Sequence, residues 1–85
     1  MTKTRPIPFS EFGAFLQRLG YVEKSTPRAR VFRHPEEGRL LFRAYRDDEA
    51  VEMHDIVFTR KFLDLRGVIE AADFDAALLR ADTPA

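Results

Sequence analysis

The sequence has no cysteine, no tryptophan and no long hydrophobic run. Without cysteine there is neither a disulfide framework nor a thiolate metal site, which is typical of proteins in a reducing cytosol. No apolar stretch approaches the roughly 20 residues that span a bilayer. The basic start at residues 1–6 has no apolar run behind it, so it does not have the pattern of a signal peptide. We therefore expect a cytoplasmic protein that makes no contact with a membrane.

Motifs for catalysis and metal binding are also scarce. There is no glycine-rich phosphate loop and no Gly-x-Ser-x-Gly elbow. The two histidines, His34 and His54, have no partner at ligand spacing, so we expect no metal and no cofactor. His54 is interpreted as a capping or surface residue. His34 alternates onto the same face as Phe32, which favours a structural hydrogen bond, with a general-base role as the weaker alternative.

The chain does contain enough apolar material for one packed domain. It has 85 residues, of which 45% are hydrophobic and eight are phenylalanine. This composition predicts a single domain over residues 1–85, with flexible segments at 1–9 and 82–85. The predicted elements are a helix at 11–19 capped by Ser10, strands at 21–24, 30–34 and 40–45, a helix from 54 or 55 to 66, and a helix at 73–81 capped by Asp73.

This order, α-β-β-β-α-α, predicts an α+β fold in which helices cover one face of a three-stranded antiparallel sheet. Leu40 and Phe42 are expected on the covered face, and Tyr45 on the open one. The second helix carries two apolar stripes, so we expect it to be the most buried element. Gly67 is expected to end that helix in a Schellman motif, in which Val68 contacts Leu63.

Charge is distributed unevenly although the net charge is zero. Residues 1–46 contain ten lysines and arginines against four acids, and the later residues carry the compensating negative charge. Arginines alternating along two strands can bind phosphates, and Tyr45 could stack a base. The alternative is a solvated face or a surface for an acidic protein. The predicted nucleic-acid-binding residues are Arg28, Arg30, Arg33, Arg39, Arg43, Tyr45 and Arg46.

Two short motifs carry a family resemblance over about residues 10–67. Leu19-Gly20-Tyr21 closes the first helix, and Phe32-x-His34-Pro35-x-x-Gly38 forms the central turn. With these motifs the chain resembles the HicA toxins, small mRNA-cleaving proteins that a HicB antitoxin neutralises. The resemblance implies a fold like the double-stranded-RNA-binding domain. The C-terminal part at 68–81, which contains the predicted third helix, is additional to that pattern.

The resemblance fails at the family's catalytic histidine, which aligns with Ala29. Pro27 and Arg28 precede it in place of glycine and serine. Because alanine cannot transfer a proton, we expect an RNA-binding domain without the family's ribonuclease activity. The alternative is a non-catalytic protein interaction module that uses the open sheet face or a strand edge. The expected partners are RNA, a HicB-like antitoxin or another acidic protein, and the expected state is a monomer or weak homodimer.

Overall fold

The structure, a computed structural model, describes residues 6–79. It is an α+β fold with a three-stranded antiparallel sheet, as the sequence predicts. The elements are α1 (Phe9–Arg18), β1 (Val22–Glu23), β2 (Ala29–His34), β3 (Gly38–Arg43), α2 (Met53–Leu65) and α3 (Ala71–Phe74), which continues as a π-helical segment at Asp75–Leu79.

The sheet has one covered face and one open face. Its strand order is β1-β2-β3, with Phe32 opposite Leu40 and Arg33 opposite Arg39. Since side chains alternate along a strand, Phe32 and Leu40 lie on the covered face and both arginines lie on the open one. Phe32 and Leu40 are almost fully buried, as is Phe42. The predicted core face of β3 is therefore confirmed.

Helix α1 covers the sheet with aromatic rings. The Phe9 ring packs 5.9 Å from the Phe32 ring, and the Phe12 ring packs edge-on 5.5 Å from the Phe42 ring, measured between centroids. Gly13 allows this close approach, because a Cβ there would lie 3.2 Å from the Phe32 ring. Burying several such rings is the largest favourable contribution to a core of this size.

The predicted Ser10 cap is wrong. Helix α1 begins at Phe9 with Pro8 at the N-cap position, and no side chain caps it. The free N–H groups of its first turn find backbone acceptors instead: the Phe9 N–H donates to the Glu49 carbonyl at 2.8 Å, and the Ser10 N–H donates to the Asp47 carbonyl at 3.0 Å. A tertiary contact thus replaces the side-chain cap.

The segment before α1 is packed, contrary to the flexibility predicted for residues 1–9. Ile7 and Phe9 have no exposed surface, and the Ile7 carbonyl accepts a hydrogen bond from the Val51 N–H at 2.9 Å. The two prolines suggested a loose lead-in, but the apolar side chain between them is part of the core. The remaining predicted flexible residues, 1–5 and 82–85, lie outside the described residues.

Helix α2 is not the most buried element. Its core-facing residues are Ile56, Thr59 and Leu63, whereas Phe58 is 57% exposed and Leu65 is 76% exposed. Two apolar stripes predicted burial on two sides. Helix α1 already occupies the covered sheet face, so only one side of α2 meets the core.

The end of α2 follows the prediction. Gly67 has a φ of 73°, and the Val68 N–H donates to the Leu63 carbonyl at 2.9 Å. This is the outer hydrogen bond of a Schellman motif, and Val68 packs against the core as expected.

The third helix begins at Ala71, so Asp73 is inside it and does not cap it. Phe74 and Leu78 of this helix are buried, whereas Ala77 between them is exposed. Arg60 of α2 binds Asp75 through two hydrogen bonds of 2.8 and 2.9 Å, a fork geometry that holds this helix against α2. The predicted end of the helix near Ala81 lies outside the described residues.

Candidate nucleic-acid interface

Three cations on the open sheet face form a cluster that we call the basic patch: Lys24, Arg33 and Arg39. Arg33 and Arg39 are direct cross-strand partners. The Lys24 N–H donates to the Val31 carbonyl at 2.7 Å, which places Lys24 one row further along the same face. Within residues 6–79 none of these three side chains makes a salt bridge or a hydrogen bond. All three are exposed.

The pairing of Arg33 with Arg39 is unfavourable for the isolated domain. Like charges directly opposite each other on neighbouring strands repel, and opposite charges there would contribute about 0.2–1 kcal/mol. No acid of residues 6–79 neutralises the pair. A surface with this unneutralised positive charge attracts an anionic partner.

An open depression of about 370 Å³ adjoins the basic patch. Its lining residues are Lys24, Arg33 and His34, together with Val22 and Pro35. Its size and shallow shape suit a phosphate group and the adjoining sugar better than an enclosed small molecule.

The imidazole of His34 has a structural role at this site. Its Nδ1 accepts the N–H groups of Glu36 and Glu37 at 3.0 and 3.1 Å. Its ring packs edge-on against Tyr21, with centroids 5.0 Å apart. Because Nδ1 accepts two hydrogen bonds, the proton of the neutral ring lies on Nε2, and neither nitrogen is then free to accept a proton. This geometry favours the structural interpretation over the catalytic one.

Arg30 is engaged on the covered side of the sheet. Its guanidinium binds Glu23 at 2.8 Å, Asp47 at 3.1 Å and the Tyr45 carbonyl at 2.8 Å. It also lies 4.3 Å from the centroid of the Phe9 ring. Nε and Nη1 of Arg30 are bound to these three acceptors and only 17% of its side chain is exposed, so little of the guanidinium is available to a phosphate. The structure separates it from the basic patch.

Arg43 and Arg46 are paired with acids of the following loop. Arg43 binds Glu49 at 2.7 Å and Glu52 at 2.8 Å, and Arg46 lies 3.4 Å from Asp48. The hydrogen bonds to Glu49 and Glu52 raise the pKa of Arg43, and the hydrogen bond from Arg43 lowers the pKa of Glu49. Both arginines therefore face carboxylates that would compete with any phosphate.

Tyr45 cannot stack a base, which corrects the prediction that placed it on the open face. Its ring is 3% exposed and lies stacked on Phe9, with centroids 5.1 Å apart. The hydroxyl donates to Asp55 at 2.6 Å and accepts the Glu52 N–H at 2.9 Å. Burial, and next the hydrogen bond to Asp55, raise the pKa of Tyr45 to about 12.

The alternation rule fails at Tyr45 because the strand has already ended. The Tyr45 N–H donates to the Arg43 carbonyl at 2.7 Å, a three-residue turn that reorients the next side chain. The sequence shows no signal for this turn. The position of Lys24, by contrast, could have been predicted from the sequence. Alternation at the end of β1 places Lys24 on the opposite face from Glu23, but the predicted interface contained only arginines and Tyr45.

Arg28 lies apart from the basic patch, in the exposed connection between β1 and β2. The Thr26 hydroxyl accepts the Arg28 backbone N–H at 3.2 Å, so the turn is ordered. Its side chain has no partner among residues 6–79. Of the predicted interface, then, Arg33 and Arg39 are brought together, Arg28 is isolated, and four residues are engaged elsewhere.

Comparison of the chain with protein-family models, curated proteins and solved structures finds no match. Within residues 6–79 no helix combines the length and apolar character needed to cross a membrane. The same residues contain no group of three or more histidine, aspartate or glutamate side chains arranged to hold a metal ion.

Proposed function

We propose that this chain is a HicA-like RNA-binding domain that contacts phosphates through the basic patch and does not cleave RNA. The observation that carries the proposal is the unpaired Arg33–Arg39 pair with Lys24 beside it. A polyanion would relieve the repulsion between the two guanidinium groups and release counterions from them. The resemblance to HicA toxins supports the same partner and a fold like the double-stranded-RNA-binding domain.

The expected mode of binding is recognition of the RNA backbone. With Tyr45 buried, the basic patch has no aromatic platform for splayed bases. Arginine and lysine on a sheet face contact phosphates without reading sequence. We therefore expect binding that depends on duplex shape and salt concentration far more than on base identity.

The absence of cleavage follows from two positions. Ala29, where the family has its histidine, supplies no group for proton transfer. His34, the nearest substitute, has Nδ1 occupied by two backbone N–H groups. A HicB-like antitoxin remains among the proposed partners, on the strength of the resemblance.

Fluorescence anisotropy with labelled double-stranded and single-stranded RNA over a salt series tests the proposal. Arg33→Ala and Arg39→Ala should each weaken binding for all sequences and reduce the slope of log K against log salt by about one. The matched control is Arg43→Ala, since Arg43 is paired with Glu49 and Glu52. Affinity no better than about millimolar at low salt would refute the proposal. Equal losses for Arg43→Ala would show that the basic patch is not the site.

A second candidate function is a protein interaction module for an acidic partner on the same open face. Leu41 is 62% exposed and Val22 is 52% exposed, so apolar side chains flank the basic patch. A protein partner could bury both, whereas RNA phosphates could not. A complex that persists at about 1 M salt would favour this candidate, because screening at that concentration removes phosphate contacts.

A further inference from the structure

The two edges of the sheet differ in length and regularity. The β1 edge has only two residues before the chain turns at the Thr26–Ala29 bridge. The β3 edge has six residues, Gly38–Arg43, without proline or a bulge. Natural proteins usually shorten, bend or cover an exposed edge of that length, because it can pair with another strand.

The backbone groups at the centre of the β3 edge point outward. The Val31 carbonyl accepts a hydrogen bond from Lys24, and the Val31 N–H donates to the Ser25 hydroxyl at 3.3 Å. Both backbone groups of Val31 thus face β1. In an antiparallel ladder its cross-strand partner, Leu41, must direct its own N–H and C=O away from β2. Among residues 6–79, β2 is the only strand that pairs with β3.

We propose that β3 pairs antiparallel with β3 of a second copy of this chain, with Leu41 opposite Leu41 on the two-fold axis. The five residues Arg39-Leu40-Leu41-Phe42-Arg43 are nearly symmetric about Leu41. Two copies of this strand in antiparallel orientation therefore place similar side chains opposite each other, as an isologous interface requires. The result is one continuous six-stranded sheet.

Charge complementarity favours a second copy in this register. Arg39 of one copy comes opposite Arg43 of the other. Arg43 already binds Glu49 at 2.7 Å and Glu52 at 2.8 Å, so this cluster has a net negative charge. Arg39, unpaired in the single chain, meets an excess of carboxylate at both ends of the paired strands, so in the dimer only Lys24 and Arg33 of the basic patch remain unpaired. Lys24 and Arg33 stay on the open face of each copy.

An apolar flank of α2 that includes Phe58 and Phe62 lies beside the start of β3. The Phe62 ring lies 3.4 Å from where a Cβ of Gly38 would be, and the Phe58 ring lies 5.9 Å from Phe62 between centroids. Phe58 is 57% exposed and Leu65 is 76% exposed. In the proposed dimer this flank borders the paired β3 edges. One strand pair plus this flank is a small interface, so the dimer is expected to be weak.

Sedimentation velocity of the purified chain over a concentration series tests the dimer. The 9.8 kDa chain should associate to twice that mass as the concentration rises. Leu41→Lys places two like charges on the two-fold axis and should weaken association at least about tenfold. Val22→Lys is the matched control, because Val22 is similarly exposed on the same face but lies on the β1 edge.

Two further measurements separate strand pairing from other association. Phe58→Ser should weaken the dimer, whereas Val57→Ser, 53% exposed on another side of α2, should not. Hydrogen exchange of the Leu41 amide should slow as the dimer forms. A chain that stays monomeric to about 1 mM overturns the proposal. So does a dimer that Leu41→Lys leaves intact, or one that Val22→Lys weakens equally.

Discussion

The two ends of the β2–β3 ladder contain the same residue type in opposite situations. At the turn end, Arg33 and Arg39 face each other and neither makes a salt bridge with an acid of residues 6–79. At the far end, Arg30 and Arg43 are each bound by two carboxylates between 2.7 and 3.1 Å away. Three of these four carboxylates belong to the loop at residues 47–52, which folds back over the far end, and the fourth is Glu23 of β1.

The first turn of α1 holds that loop in place. The Phe9 and Ser10 N–H groups donate to its carbonyls, and Val51 bonds back to Ile7. The acids of the loop are thereby fixed beside Arg30 and Arg43 and cannot reach the turn end. Arginines at the far end stabilise the fold, and those at the turn end are left for an anionic partner. Three substitutions and one pH series probe this division, from the largest expected effect to the smallest.

Arg30→Ala should be the most damaging change. It removes the charged donor from the partly buried Glu23 carboxylate, which keeps only the Ser25 hydroxyl, and leaves the Tyr45 carbonyl without its side-chain donor. It also removes the cation that packs on Phe9. We expect the free energy of unfolding to fall by about 2–3 kcal/mol. Urea denaturation measures this. Arg33→Ala, the turn-end control, should stay within about 0.5 kcal/mol of the native chain. Equal losses would remove the distinction between the two ends.

Tyr45→Phe should come next. The substitution removes the donor to Asp55 and the acceptor of the Glu52 N–H, both at the start of α2. A loss of about 1–2 kcal/mol in the free energy of unfolding is expected. Tyr21→Phe is the corresponding change at the turn end, where the hydroxyl makes one hydrogen bond, to the Glu37 carbonyl at 3.0 Å. A larger loss for Tyr21→Phe would contradict the comparison.

Alkaline pH should lower the free energy of unfolding, because Tyr45 at the far end of the ladder is deprotonated more readily in the unfolded chain. Folding raises the pKa of Tyr45 from 10.0 to about 12, so between these values the unfolded chain loses a proton that the folded chain keeps. The contribution of Tyr45 is therefore full below about pH 10 and is lost as the pH rises towards 12. Burial also raises the pKa of Tyr21. Denaturation from pH 8 to about 12 should show falling stability. In Tyr45→Phe the fall should be smaller, and an unchanged fall would exclude Tyr45 as its source.

Arg39→Glu should produce the smallest change in stability, and in the opposite direction. A carboxylate opposite Arg33 converts a repulsive pair into an attractive one, with an expected gain of about 0.5 kcal/mol in the free energy of unfolding. RNA binding should fall in the same variant. Arg39→Gln, which removes the repulsion without adding a pair, is the control and should gain less. A loss of stability in Arg39→Glu would mean that the Arg33–Arg39 pair is not strained.

Local sequence rules predicted the structure correctly where residues adjacent in the sequence determine the conformation. Gly67 and Val68 end α2 as their spacing predicts, and the alternation of Leu40 and Phe42 identifies the covered face. Tyr45 escaped the same rule because a turn at Arg43 precedes it. Ser10 lost its predicted role because distant carbonyls, and not its own side chain, satisfy the first N–H groups of α1.

The sequence alone determined the α+β class, the three strands and the presence of more arginine than acid in the first half, since these depend on periodicity and composition. Which arginines remain free was decided only by tertiary structure. The charge-assisted hydrogen bonds of a salt bridge form only when the donor and acceptor atoms are about 3 Å apart. Asp47 lies 17 residues from Arg30 along the chain, yet its carboxylate is 3.1 Å from the guanidinium once the loop has folded back. The turn-end arginines stay unpaired because no part of residues 6–79 brings an acid that close to them.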